Sequence, residues 1–136
     1  MMFRRTAISR RTATHERGAA AVEFALVLPV LILLVLGVIE FSRVYNVQIS
    51  LSNAAREGAR TMAIQNDPVG AKLAASLAAP SVSNPALAPG NVTVSPANCA
   101  AGSTATVTIN YDVQLLTGYF GLTLPLTGKG AMLCGG

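Results

Sequence analysis

Glu23 is the first residue whose placement has chemical consequences: it is the one charge in residues 19–39, AAAVEFALVLPVLILLVLGVI. A lone carboxylate in a bilayer helix costs on the order of 2 to 3 kcal/mol or more and usually finds a partner. Lying four residues from Ala19, it can instead reach the headgroup region. Pro29, in the same run, cannot donate a backbone hydrogen bond to residue 25, a loss that neighbouring helices or local adjustments absorb in a membrane. A kink or bend is expected there. Cys99 and Cys134 are the two cysteines. In an oxidising compartment they most simply pair, closing a loop of about 36 residues for a gain of roughly 3 to 4 kcal/mol on the chain-entropy model. Their spacing has no CxxC character, and the one histidine, His15, lies among the N-terminal arginines, so zinc binding and redox catalysis find no support.

Catalysis has little else to draw on. The acidic residues beyond Glu16 are Glu23, Glu40, Glu57, Asp67 and Asp112, widely separated in the chain, and no phosphate-cradling glycine loop follows a strand. The sequence predicts a non-enzyme without cofactor or metal. A net charge of +4 raises the question of nucleic acid, but Arg4, Arg5, Arg10, Arg11 and Arg17 hold half of the 10 basic residues. The remainder is neutral and has no RNP-like aromatic motif, so no nucleic-acid partner is expected.

The element that must position Glu23 is a membrane helix. At about 1.5 Å per residue, residues 19–39 make a helix of roughly 31 Å, matching a hydrocarbon core of about 30 Å. Only 12% of the residues are charged and mean hydropathy is +0.50, as expected when one segment avoids water. A secretory signal peptide usually has an apolar region of about 7 to 15 residues ending in a small-residue cleavage site. This run is longer and continues into a polar helix without turn residues. Five arginines precede it, whereas Arg43 alone lies within the ten residues that follow. The positive-inside rule keeps the N-terminus cytoplasmic and exports residues 41–136.

Arg17-Gly18-Ala19-Ala20-Ala21-Val22-Glu23-Phe24 places a glycine five residues before glutamate and then an aromatic. It resembles the processing site of type IV pilin-like proteins. Together with the following span, Glu40-Phe41 and NAAREGAR at 53–60, it resembles the TadE-like family of the tight-adherence (Flp) pilus system. The resemblance covers residues 17–62. It implies a prepilin peptidase cutting after Gly18 on the cytoplasmic side, leaving Ala19 as the new N-terminus. The new ammonium and Glu23 would share one helix face at i, i+4 spacing, and either the chain's own amine or a neighbour's would compensate the carboxylate. Other pilins, pseudopilins and assembly proteins are the implied partners.

Residues 40–66 continue as an amphipathic stalk. Phe41, Val44, Gln48, Leu51, Ala55, Gly58 and Met62 repeat at an approximate 3–4 spacing, and the helix is expected to run to about Gln65. This face suits either a partner helix or the chain's own exported domain. Arg56, Glu57 and Arg60 form the polar part of the family-like signature. They read as a solvated face or as a docking site, and a Glu57–Arg60 pair would add only a few tenths of a kcal/mol.

Asp67 as N-cap with Pro68 at the first helical position starts a short second helix through about Ala78. Residues 79–90, APSVSNPALAPG, read as a proline-rich connector. Alternation then predicts strands at 92–95 and 105–116, with a third over 126–134 after the loop GYFGLTLP. Three strands need a covering layer, available from either helix. The expected fold is α+β: a basic leader (1–18), a transmembrane helix (19–39), the stalk, the short helix with its connector (67–90), and a small antiparallel β head (91–136). The expected function is that of a minor pilin-like component in the bacterial cytoplasmic membrane. An unprocessed single-span scaffold and a pilus-tip adhesin are the alternatives.

Overall fold

The computed structural model describes residues 13–83, 85–115 and 121–135. The leader arginines Arg4, Arg5, Arg10 and Arg11, the end of the predicted second strand at Leu116, and Gly118, Tyr119 and Phe120 of the predicted loop lie outside the described residues. Two compact units divide the chain at 39/40.

Helix α1 spans Ala13–Gln65 and contributes to both units. In the first unit its residues 18–39 are all exposed. The helix continues through Pro29. Among the described residues these side chains form an exposed apolar surface, of the kind that marks a contact with a membrane or a partner.

The second unit is α+β. Its helices are the end of α1 and α2 (Pro68–Leu77); its strands are β1 (Val92–Ser95), β2 (Thr104–Gln114) and β3 (Thr123–Leu133), with a 3-10 turn at Pro89–Asn91. The strands form one antiparallel sheet in the order β1-β2-β3, with Val94 opposite Val107 and Ile109 opposite Gly128. Alternation along β2 puts Ala105, Val107, Ile109, Tyr111 and Val113 inside, while Thr104, Asn110, Asp112 and Gln114 are exposed. That is the period of a strand with one face covered.

The cover is α1. Val47, Leu51, Ala54, Ala55, Ala59 and Met62 are buried, and most of them share one cluster with Val107, Ile109 and Tyr111. Of the two uses open to the stalk face, packing on the chain's own sheet is the one the structure has. The approach is close because β3 offers glycine twice. A Cβ on Gly128 would lie 2.5 Å from the Leu51 carbonyl oxygen, and one on Gly130 would lie 2.5 Å from the Ala55 carbonyl oxygen and the Arg56 nitrogen. Strand glycine here makes room for a helix backbone.

Helix α2 follows a tight corner. Asn66 ends α1 at φ 51°, and Asp67 accepts hydrogen bonds from the Val69 and Gly70 amides, both at 3.0 Å. This is the predicted N-cap. A Cβ on Gly58 would meet Ala75 Cβ at 3.0 Å and the Ala71 carbonyl at 3.1 Å, so small residues set the separation of α1 and α2. The proline-rich connector adds to the core through Ala79, Val82 and Leu87, and the Tyr111 hydroxyl donates to the Pro85 carbonyl at 2.7 Å. Burial pushes the Tyr111 phenol above its ordinary pKa, with Arg43 opposing.

Strand β3 begins at Thr123, earlier than alternation suggested. Pro125 sits opposite Asp112 on an edge strand, where a missing N–H need not break the ladder. Cys99 and Cys134 are joined by a disulfide with Cα atoms 5.5 Å apart at a sequence separation of 35. Asn66 Oδ1 also accepts from the Cys99 amide at 2.6 Å, tying this loop to the end of α1. Replacing both cysteines by serine is expected to lower unfolding free energy by roughly 3 to 4 kcal/mol. Chemical denaturation of the full chain in detergent, with and without reductant, measures this; reductant should have no effect on the double variant.

Candidate functional site

Gly18, Ala19, Glu23, Phe24 and Pro29 all lie on α1 in the first unit, and each is exposed. A Cβ at Gly18 would meet nothing within 4 Å. A helix-interior glycine is about 0.5 to 1 kcal/mol less favourable than alanine, and no packing among the described residues demands it. Ala19 and Glu23 are one helical turn apart on the same side. The run around them has a windowed mean hydropathy of 2.9 and is long and apolar enough to cross a membrane.

Glu40 and Arg43 open the second unit. Glu40 Oε1 stands 3.9 Å from Arg43 Nη1, and that guanidinium donates at 2.9 Å to the Gln114 carbonyl at the end of β2. Further along, Gln48 Nε2 donates to the Thr127 carbonyl at 2.9 Å. Two polar side chains thus fasten α1 to both long strands. Neither tie was legible in the sequence, because each acceptor is a backbone atom more than 70 residues away.

The NAAREGAR stretch divides by face. Ala54, Ala55, Gly58 and Ala59 point into the core, whereas Asn53, Arg56, Glu57 and Arg60 are exposed. Among the described residues no ion pair joins Glu57 to Arg60. The small residues therefore serve this chain's own packing, and the charged ones are left outward. Gly128 and Gly130 were the residues that sequence reasoning missed. A Gly-Lys-Gly inside an alternating strand was the available signal.

The order along the chain is now complete: Gly18, Glu23, an exposed apolar helix, then a small-residue face with outward Arg-Glu-x-x-Arg. A family model described as TadE-like protein matches residues 18–60. Residues 18–60 are similar to TadE-like proteins. The match covers about a third of the 136 residues and ends inside α1, before α2 and the sheet. The chain matches no curated protein and no solved structure. The matched residues lie on the helix that, among the described residues, is long and apolar enough to cross a membrane. Among the described residues no group of three or more His, Cys, Asp or Glu side chains gathers into a metal site.

Proposed function

We propose that the chain is a minor pilin-like, pseudopilin component of a tight-adherence pilus, cut after Gly18 by a prepilin peptidase and assembled through the apolar helix. The observation that carries this reading is the placement of Gly18 and Glu23 on the exposed, apolar residues 18–39 of α1, with open space among the described residues where a Cβ on Gly18 would lie. A glycine without a steric role and a carboxylate in an apolar run both point to chemistry supplied from outside. After the cut, the ammonium of Ala19 or of a neighbouring subunit compensates Glu23 and fixes axial register as helices pack.

Orientation follows the arginines, with the N-terminus in the cytoplasm and the second unit exported. The Cys99–Cys134 disulfide supports the same side, because disulfides persist in oxidising compartments. Prepilin peptidase, other pilins and pilus assembly proteins are the partners of this reading, and the outward Arg56, Glu57 and Arg60 are its polar docking candidates.

The mature N-terminus tests it. N-terminal sequencing or intact mass should find Ala19 first in cells with the peptidase and an uncut leader in cells without it. Gly18→Leu should retain the leader in both. A wild-type chain that keeps its leader and stays in inner-membrane fractions would replace this reading with that of an unprocessed scaffold.

A further inference from the structure

The second unit carries exposed apolar side chains that its core does not use; some lie on α2 and at the end of β3, and four lie near the point where the chain enters the unit. Phe41 and Tyr45 are 71% and 59% exposed on α1, with rings stacked at 6.3 Å between centroids. Leu122, immediately before β3, and Leu124, near its start, are 58% and 41% exposed.

Register puts these two groups at one level. Gly130 faces Ala55 and Gly128 faces Leu51, so two residues back along β3 correspond to four residues back along α1. The match is expected, since two strand residues advance about 6.7 Å and four helix residues about 6 Å. Continuing the series along β3 brings Leu126 beside Val47 and Leu124 beside Arg43, and Leu122 adjoins the same end of the strand. The hydrogen bond from Arg43 to the Gln114 carbonyl pins this end independently, because Gln114 is paired with Thr123.

Glu40 is also where the chain leaves the apolar run. Chain continuity alone keeps residues 40–45 within about 20 Å of its last residue, and a helical path would keep them within about 9 Å. An amphipathic surface settles about 5 to 10 Å into the headgroup and acyl boundary, and aromatic residues favour that layer. We propose that Phe41, Tyr45, Leu122 and Leu124 form a second contact with the bilayer that the anchor crosses. They rest the start of β3 on the lipid interface and hold the second unit at the membrane before assembly. Arg43 is a positioning residue in this arrangement: it fastens the β2 end to α1 at the level of the lipid surface.

The inference rests on the anchor reading, and its test separates the two. The chain contains no tryptophan, so a single introduced indole reports alone. L122W and L124W, each in the full chain in phosphatidylethanolamine–phosphatidylglycerol vesicles, are compared with L31W in the anchor and V69W at the far end of the second unit. Lipids brominated at shallow or deep acyl positions serve as quenchers. L122W and L124W should be blue-shifted relative to V69W and lose emission more to shallow bromines than to deep ones, while L31W loses more to deep ones. Quenching of L31W with L122W and L124W behaving like V69W overturns the interfacial contact and leaves the anchor standing. Absence of quenching at L31W removes both. A blue shift at L122W without lipid quenching also overturns it and assigns the patch to a second copy of the chain.

Discussion

Gly130→Leu is expected to undo the second unit, lowering its stability by about 3 kcal/mol or more. A Cβ at this position would sit 2.5 Å from backbone atoms of Ala55 and Arg56, which have no rotamer to change. Helix α1 must therefore lift off the sheet or β3 must leave it. Either movement exposes Leu51, Val107 and Ile109, which are fully buried. Set against the roughly 5 to 15 kcal/mol that holds a typical domain folded, the loss is large. Thermal unfolding of the full chain in detergent measures it, and trypsin gives a local readout, because Arg56 and Arg60 are accessible to cleavage only when α1 frays. Gly90→Ala is the control: its Cβ would meet nothing within 4 Å, and a change within about 0.5 kcal/mol is expected. A Gly130→Leu chain that melts with the wild type would refute the close docking of α1 on β3.

This docking also shows where sequence reading stops. Helix α2 was legible to within a residue, because Asp67 and Pro68 act locally: a carboxylate caps the first amides, and a ring with fixed φ suits the first turn. Strand β1 and most of β2 were legible for a similar reason, since alternation records which side chains face a cover. The start of β3 was not. Pro125 reads as a strand breaker until the sheet order puts it on an edge, and that order is a property of the whole unit. In the same way, Val82 and Leu87 lie in a proline-rich connector whose composition says loop, yet both are buried. The stalk face left two uses open because a stripe of Leu, Ala, Gly and Met fits a foreign helix as well as a native sheet; Gly128 and Gly130 decide between them only once β3 is laid over α1. Gly18 and Glu23 behave oppositely. Their spacing was visible at once, and the fold adds that no described residue packs against the glycine and that the glutamate is exposed.

Replacing Glu23 by alanine is expected to keep the chain in the membrane and remove it from filaments. Insertion should not suffer, since the change deletes a charge whose presence in a bilayer helix is worth on the order of 2 to 3 kcal/mol of penalty. Nor should the second unit weaken, because Glu23 is exposed and lies outside it. What the change removes, on the proposed reading, is the carboxylate that meets an Ala19 ammonium. Packing among Val, Leu and Ile side chains is nearly indifferent to axial sliding, whereas one ion pair in a low-dielectric layer is short-ranged and specific, so the charge sets register that apolar contacts leave loose. Glu23→Gln separates charge from shape: it keeps the side-chain length and hydrogen-bonding capacity, and if the charge is what matters it should fail as the alanine variant does. Membrane fractionation, the mature N-terminus and immunodetection in sheared filaments read the three steps of insertion, processing and assembly. Wild-type filament content from both variants would remove the electrostatic role and leave Glu23 as a side chain reaching for the headgroups.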